Sequence, residues 1–305
     1  MFILEKFWTK NISISDALYI MSVMIWIFDS WLGWLSVRKE LAKLMPNQDF
    51  CYIADSAYCP YWRKKPEELQ NRSRKLTNFL IEQWNCDLIV IACNTATAAA
   101  IEVLRSEYSI PFVWMEPAIK PAILHSKTWT VWVLATDWTF KWALYHRTLT
   151  QFQWDVKVIE QVWDWLVELV EQNKTESDDA RELLTKYLTP MIEANIDHIV
   201  LGCTHYPFLI PTIEKILEEK KVWDKITVIN PAPAVALQTQ RVLKSLNTNG
   251  EWLENKNRFY STWDTQILEN FVENIISWLE TNIQTILTKK WNTFQHLTFL
   301  DTDEK

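Results

Sequence analysis

The sequence predicts an α/β fold of two similar domains, each with a mainly parallel sheet flanked by helices, and an active site at the domain interface. Short apolar runs of β type alternate with segments of helical period, which is typical of parallel strands joined by crossover helices. A strand that ends in a cysteine occurs twice, at Cys93 and at Cys203. Because these copies lie about one domain length apart, the repeat favours two related halves.

The strands are predicted from short apolar runs rich in β-branched residues. In chain order they are Met24–Phe28, Phe50–Ala54, Leu88–Ala92, Phe112–Met115, Thr130–Ala135, Val156–Ile159, His198–Leu201, Ile226–Ile229 and Arg258–Ser261. The segments between them carry apolar residues at the helical period, as expected for helices with one buried face. These helices are Leu35–Leu44, Glu67–Gln83, Thr97–Tyr108, Asp179–Asn195, Leu209–Lys220, Val235–Leu246 and Phe271–Leu287.

The domain organisation follows from the same pattern. We expect an N-terminal extension over 1–23, a first domain over 24–116 and a second domain over 117–229. Residues 230–290 are expected to return to the first domain and complete it, and 291–305 to form a tail. The extension lacks the basic start, apolar block and cleavage site of a signal peptide, and Met24 is a plausible initiator.

Composition excludes several classes of function. The net charge of −7 argues against nucleic acid or an anionic membrane surface as the main partner. No apolar run approaches the ~18 residues that a membrane span needs. The 5 cysteines form no CxxC pair, which indicates reduced thiols in the cytoplasm rather than disulfides or a metal site.

The two cysteine motifs point to an acid–base function. Residues 87–95 and 197–205 share the pattern D-x-I-V-x-x-C followed by polar residues. Each cysteine then lies at the carboxyl edge of a parallel sheet, where α/β proteins bind ligands. The N-terminus of the following helix would lower a thiol pKa and would attract a carboxylate. Two such thiols facing each other would suit stereoinversion, since one removes a proton while the other delivers one.

A structural role for each cysteine is the competing interpretation. A single cysteine at a strand end is more often a small buried hydrophobic residue than a catalyst. Two in matched contexts bring the catalytic and structural interpretations to about even odds. The remaining cysteines, Cys51, Cys59 and Cys86, have no such context and are interpreted as structural.

Five segments together resemble one family. They are Phe28–Ser30, Pro60–Tyr61, Cys93–Ala96, Met115–Ala122 and Cys203–Pro207. In this order, and with two of them bearing the cysteines, they resemble glutamate racemase over most of the chain from Met24 onward. The resemblance implies interconversion of L- and D-glutamate without a cofactor or a metal, which would supply D-glutamate for peptidoglycan synthesis. It is compatible with a homodimer.

The resemblance also implies roles for particular residues. Cys93 and Cys203 would be the two acid–base thiols, tuned by Asp29 beside the first and by His205 beside the second. The residues expected to bind glutamate are Asp29, Ser30, Tyr61, the main chain of Trp62, Asn94, Thr95, Thr204 and His205. Thr136, Thr139 and Glu168 match the family less sharply. Taken singly, Asp29, Asn94 and Thr95 would also suit helix caps, Tyr61 a packing role, and His205 a partly exposed loop.

Glycine and tryptophan usage is abnormal. The chain has 3 glycines and 19 tryptophans, where usage of ~7% would give roughly 21 glycines. Tryptophan stands where the family pattern has glycine at positions 26, 31, 34, 62, 114, 132, 138 and 263.

Two interpretations of the tryptophans compete. The chain is either an inactive or redesigned variant, or the product of a gene in which UGA encodes glycine, translated as if UGA encoded tryptophan. We favour the second hypothesis. It predicts left-handed backbone or crowding of the cleft at 31, 34, 62 and 138, and exposed rings elsewhere.

Two alternative functions stay open at this stage. The chain could be a related two-cysteine racemase or isomerase that acts on aspartate or another small acid. It could also be a catalytically dead binding protein, if tryptophan truly occupies positions 31 and 62, because an indole there would fill the cavity or displace the loop.

Overall fold

The computed structural model describes residues 24–246 except 47, 49, 85, 153, 154 and 164, residues 257–269 except 264 and 267, and residues 292–296. Its strands form two parallel sheets. The strands are β1 (Ile25–Asp29), β2 (Phe50–Ala54), β3 (Ile89–Ile91), β4 (Phe112–Trp114), β5 (Thr130–Ala135), β6 (Lys157–Val162), β7 (His198–Gly202), β8 (Thr227–Ile229), β9 (Asn257–Ser261) and β10 (Asn292–His296). The first sheet has the order β10-β9-β2-β1-β3-β4, and the second has the order β6-β5-β7-β8.

Helices connect the strands and cover the sheets. They are α1 (Leu35–Leu44), α2 (Pro66–Trp84), α3 (Asn94–Glu107), α4 (Ile119–His125), α5 (Asp137–Phe140), α6 (Ala143–Phe152), α7 (Leu166–Glu171), α8 (Asp178–Glu193), α9 (Ile210–Glu219) and α10 (Ala232–Ser245). Short 3-10 turns lie at 32–34, 56–58, 61–63 and 206–209. None of the helices among the described residues combines the length and apolarity needed to cross a bilayer.

The predicted α/β class with parallel sheets is confirmed. All nine predicted strands are present, with ends displaced by three residues at most. Six of the seven predicted helices are present to the same tolerance, and the seventh, Phe271–Leu287, lies outside the described residues. The helices α4 to α7 are not predicted. With 7, 4 and 6 residues, α4, α5 and α7 are too short to show a clear period, whereas α6 is as long as the predicted α1 and its omission has no such reason. β10 is a further strand within 291–305, where the pattern predicts only a tail.

Burial explains why the sequences of the central strands are nearly continuous apolar runs. All five residues of β1 are buried, and so are all five of β2 and of β7. A parallel sheet covered by helices on both faces leaves no side of a central strand for polar residues. Polar side chains therefore collect just beyond the strand ends.

Parallel pairing brings those polar ends to one edge of each sheet. In the first sheet, β1 pairs with both β2 and β3, and its register places Asp29 opposite Ala54. Asp55 and Cys93 follow the carboxyl ends of β2 and β3. In the second sheet, β5 pairs with β7, and Cys203 directly follows β7. Each sheet thus presents one motif cysteine at its carboxyl edge.

Candidate active site

Cys93 forms the first side of the candidate site. It is the N-cap of α3, and its Sγ accepts a hydrogen bond from the main-chain N–H of Ala96 at 3.4 Å. Its thiol donates to Oγ of Ser30 at 3.6 Å. Only 4% of Cys93 is exposed. The strand-to-helix turn predicted for this cysteine therefore exists, and the thiol contacts the loop that follows β1.

Asp29 is fully buried beside this thiol. Its Oδ1 accepts from the main-chain N–H of Ser30 at 2.6 Å and from Oγ of Ser30 at 3.3 Å. Burial raises the pKa of Asp29 to about 6, against the opposing effects of the His205 charge and of hydrogen bonds from Cys93 and Ser30. A carboxyl group with a pKa of about 6 exchanges protons readily near neutral pH.

The predicted lowering of the Cys93 thiol pKa is wrong for this structure. Burial is the largest influence and raises the pKa of Cys93, and the neighbouring Asp29 charge raises it further. The hydrogen bonds from Ala96 and Ser30 lower it only in part. The helix N-terminus acts as expected, but desolvation outweighs it. Cys93 is therefore a neutral thiol that needs a base, and Asp29 is placed to be that base.

Cys203 forms the second side of the site together with His205. Nδ1 of His205 lies 3.7 Å from Sγ of Cys203, and Nε2 lies 3.2 Å from Oε1 of Glu171. Burial lowers the pKa of His205, but the contacts with Cys203 and Glu171 outweigh it and raise the pKa to about 10. His205 is thus an imidazolium at neutral pH, held between a thiol and a carboxylate.

Glu171 is a site residue that the sequence does not reveal. The family resemblance points weakly to Glu168, whereas the structure places Glu171 against His205. The two carboxylates lie one turn apart on α7. Because periodicity identifies only the buried apolar face of so short a helix, it does not show which glutamate meets a residue from another loop.

The two sides meet at Thr204 and Gly33. Oγ1 of Thr204 donates to Oδ2 of Asp29 at 3.5 Å. A Cβ atom on Gly33 would lie 2.2 Å from Oγ1 of Thr204 and 2.7 Å from Nδ1 of His205. At such distances a side chain at position 33 would force Thr204 or His205 to shift, so glycine is favoured here by close approach rather than by backbone conformation. One chain of contacts therefore runs from Cys93 through Asp29 and Thr204 to the loop of Cys203.

Asn94 and Thr95 lie at the start of α3, next to Cys93. Asn94 is only 3% exposed, and neither its side-chain nitrogen nor its side-chain oxygen has a hydrogen-bond partner. Buried polar atoms are rarely left in that state, so this amide is suited to binding a polar ligand. Oγ1 of Thr95 lies 3.4 Å from Oγ1 of Thr136, which in turn lies 3.1 Å from Oγ1 of Thr139. These threonines place hydroxyl groups from both sheets side by side.

Tyr61 is fully buried, and its hydroxyl donates to Oδ2 of Asp55 at 2.5 Å. Its side chain is therefore committed to a protein partner. The next residue, Trp62, borders a cavity of about 280 Å³ between the two sheets. Other residues around this cavity are Arg63, Thr136, Asp137, Trp165 and Glu168.

The sequence is similar to proteins of one known family. Residues 36–239 match the model of the Asp/Glu/Hydantoin racemase family. The glutamate racemase of Herpetosiphon aurantiacus is 41% identical over 219 residues, covering 72% of this chain and 84% of that protein. The chain belongs to the glutamate racemase family. The glutamate racemase of Ralstonia pickettii is 39% identical over 250 residues, covering 82% of this chain and 86% of that protein.

The fold agrees with the same family. The crystal structure of the glutamate racemase isoform RacE1 from Bacillus anthracis superposes with a TM-score of 0.76 at 27% identity, covering 92% of this chain and 98% of that chain. The glutamate racemase of Aquifex pyrophilus superposes with a TM-score of 0.65 at 28% identity, covering 84% and 95%. The sequence resemblance to glutamate racemase is thereby confirmed.

Within the part of this racemase family member that the structure describes, two tryptophans have left-handed backbone. Trp129 has φ of 62° and Trp165 has φ of 70°, a conformation that is unusual for a bulky side chain and natural for glycine. Trp129, Trp165, Trp223 and Trp263 are each more than half exposed. The prediction of left-handed backbone is wrong at all four positions it named. Trp31 has φ of −157° and Trp34 has φ of −54°, while Trp62 lies in a right-handed 3-10 turn and Trp138 in a helix.

Several buried indole groups are poorly accommodated. Trp34 stacks on Tyr52 with ring centroids 3.6 Å apart, and the hydroxyl of Tyr52 donates to the main-chain oxygen of Trp31. Buried indole N–H groups without a hydrogen-bond partner occur at Trp31, Trp34, Trp84, Trp132 and Trp163. A natural buried tryptophan usually finds a partner for this group, so an indole fits these sites poorly. Trp31, Trp34 and Trp132 among them are positions where the family pattern has glycine, and glycine there stays a prediction.

Proposed function

We propose that this chain interconverts L- and D-glutamate by transferring the α-proton between two thiols, Cys93 and Cys203, without a cofactor. The thiolate of one cysteine takes the proton from one face of the α-carbon. The thiol of the other cysteine then gives a proton to the opposite face. The number of protons bound to enzyme and substrate together is unchanged, and the reverse reaction exchanges the two roles.

The contact between Cys93, Asp29 and Thr204 is the observation that carries this proposal. It joins the loops of the two cysteines through one buried carboxylate. Asp29 is placed to accept the proton of the neutral Cys93 thiol, since its own pKa of about 6 lies near physiological pH. His205 is placed to stabilise charge at Cys203.

The substrate has to be bound in its charged form and shielded from water. The unpartnered amide of Asn94 and the N-terminus of α3 suit a carboxylate. Ser30, Thr95 and Thr204 supply further hydroxyl groups beside the thiols. The α-carbon of an amino acid is a weak acid, so fixed hydrogen-bond donors and exclusion of water would provide most of the stabilisation of the transient carbanion.

We also place this activity in the cytoplasm, with glutamate as the small-molecule partner and D-glutamate for peptidoglycan as its product. The assembly we propose is a homodimer, to be checked by light scattering of the purified chain. The domain boundaries proposed from the sequence suit the sheets, since β1–β4 and β9 share one sheet and β5–β8 the other.

The test is circular dichroism of each glutamate enantiomer incubated with purified protein, in the tryptophan form and in a form with glycine at the eight family positions. The result expected is loss of optical signal from both enantiomers, unaffected by chelators and without pyridoxal phosphate. Activity that is lost on dialysis and restored by pyridoxal phosphate would contradict the proposal. If glutamate binds but does not racemise in the glycine form, the chain is a binding protein.

A further inference from the structure

We propose that Asp55 and Arg72 form a positioning pair that fixes Tyr61, so that the Tyr61 hydroxyl does not contact glutamate and instead holds the loop in which the family resemblance places a main-chain contact at Trp62. This inference rests on the proposed function. It assigns roles to two residues outside the acid–base machinery, and it changes the role expected of a third. Tyr61 becomes a positioning residue, because its side chain acts through Asp55.

Asp55 is the centre of a buried network. Its Oδ2 accepts from Oη of Tyr61 at 2.5 Å and from Nε of Arg72 at 2.7 Å. Its Oδ1 accepts from a second nitrogen of Arg72 and from Oγ1 of Thr262 at 3.1 Å. Asp55 and Tyr61 are fully buried, and Arg72 is 6% exposed. The carboxylate therefore has a donor at each of four positions, which fixes its orientation.

This network adjoins the proposed catalytic carboxylate. The main-chain N–H of Asp55 donates to the main-chain oxygen of Asp29 at 2.9 Å, where β1 and β2 end side by side. A change in the orientation of Asp55 would thus disturb this hydrogen bond and, through it, the position of Asp29 at the proton-transfer site. A buried ion pair contributes little to the net free energy of unfolding. We therefore assign to Asp55 and Arg72 the role of fixing the geometry of the loop.

The loop between β2 and α2 is held near its start by Thr262 and near its end by Asp55. The main-chain N–H of Ala57 donates to Oγ1 of Thr262 at 3.0 Å, and Tyr61 is held by Asp55 farther along the loop. The main-chain N–H of Lys64 donates to the oxygen of Tyr61 at 3.0 Å. Three separate segments, namely the end of β2, helix α2 and the residue after β9, converge to hold one loop.

The Tyr61 hydroxyl has a single hydrogen to donate, and Asp55 takes it. Burial and the Asp55 carboxylate hold the pKa of Tyr61 well above its usual range, so the hydroxyl stays protonated. Trp62, the following residue, borders the cavity between the sheets, so the loop that Tyr61 anchors lies beside this cavity.

The first test compares Arg72→Lys with Arg74→Lys in the full-length chain. Both arginines lie on α2, but Arg74 pairs with Glu107 at the exposed surface. Lysine keeps the charge but loses the two-pronged contact. We expect Arg72→Lys to speed amide hydrogen exchange over residues 57–64, and to raise KM for glutamate, by about tenfold each, with a smaller change in kcat. Arg74→Lys should change neither.

A second pair of variants tests the same network in case the Arg72→Lys variant does not fold. Thr262→Val removes one donor to Asp55, whereas Thr262→Ser keeps it. We expect faster exchange over residues 57–64 in the valine variant and recovery in the serine variant. If Arg72→Lys and Thr262→Val both leave exchange in this loop as slow as in Arg74→Lys, the positioning role is overturned. Exchange is read without substrate, so this outcome is separate from failure of the racemase proposal, which the cysteine variants decide.

A double-mutant cycle then separates positioning from direct contact. If the Tyr61 hydroxyl works only through Asp55, the effects of Tyr61→Phe and Arg72→Lys on KM overlap, and the double variant is little worse than either single variant. Additive effects would mean that the hydroxyl contacts glutamate itself, and they would overturn the inference.

Discussion

The hydroxyl of Thr204 donates to the carboxylate of Asp29 across the junction between the two sheets, at 3.5 Å. Thr204 directly follows one motif cysteine, and Asp29 lies beside the other. The two halves of the proposed proton transfer are therefore joined by one hydrogen bond. A change in the charge of Asp29 should consequently affect proton transfer at both thiols.

The pH dependence of kcat/KM should be bell-shaped. Asp29 has a pKa of about 6, so it is ionised above that pH and loses its function as a base as the pH falls through 6. His205 has a pKa of about 10, so its positive charge is lost as the pH rises through 10. Initial rates between pH 5 and 10.5, at roughly half-unit steps, would define both limbs. Asp29→Asn should abolish the limb near pH 6, and an unchanged acid limb in that variant would contradict the assignment.

Replacing either motif cysteine should abolish racemisation. We expect Cys93→Ser and Cys203→Ser each to reduce the rate by about 10³-fold or more, because serine is a far weaker acid than cysteine. Each variant should still catalyse one-sided proton removal from a glutamate analogue with a good leaving group. Cys86→Ser is the control, since Cys86 is a buried cysteine at the opposite end of β3 from Cys93, and its thiol donates to the main-chain oxygen of Leu88. Full activity in either motif variant would remove that thiol from the mechanism.

Glu171 and Glu168 should behave differently although they share α7. Glu171→Gln removes a negative charge 3.2 Å from His205, so the His205 pKa should fall and the alkaline limb should move to lower pH. The contacts of His205 with Cys203 and Glu171, which raise its pKa, stabilise the fold fully below pH 6.5, and this stability is lost as the pH rises through 10. Glu168→Gln should leave the alkaline limb in place. Equal shifts in both variants would show that the effect is general electrostatics.

Gly33→Ala should impair the site by overpacking. Its Cβ would lie 2.2 Å from Oγ1 of Thr204 and 2.7 Å from Nδ1 of His205, so these side chains or their loop have to shift. We expect a loss of about 1–3 kcal/mol in the free energy of unfolding and a marked fall in kcat. Denaturant unfolding and kinetics would be compared with Ser106→Ala on the exposed surface of α3. An alanine variant of normal stability and activity would show that the two loops lie farther apart.

The tryptophan hypothesis makes a prediction for stability as well as for the gene. Trp129→Gly and Trp165→Gly should each stabilise the chain by about 1 kcal/mol, because they relieve left-handed backbone. Trp223→Gly is the control, since Trp223 is equally exposed but has no positive φ. In the coding sequence, UGA is expected at Trp129 and Trp165, and also at Trp31 and Trp62. UGG codons at Trp31 and Trp62 would refute the hypothesis.

The sequence predicts the strands and the two cysteine turns well because these depend on local patterns. A buried parallel strand such as β7 is a continuous apolar run, and a cysteine followed by polar residues marks its end. The contacts that join distant segments have no such local signal. The pairing of Asp55 with Arg72 and the contact of Glu171 with His205 arise from loop geometry. The same holds for the Cys93 pKa, which depends on how much protein surrounds the thiol.

The position of β9 has a consequence for biosynthesis. β9 pairs with β2 and leads to Thr262, whose hydroxyl reaches an Asp55 side chain made 207 residues earlier. On the ribosome, a nascent chain that has emerged only as far as residue 246 therefore exposes an unpaired β2 edge. Such an edge is prone to pairing with other chains. Both cysteines have been translated by then, but the loop of Tyr61 lacks its last tether. Catalytic competence thus arrives late in synthesis, and truncated products should be both inactive and prone to aggregation.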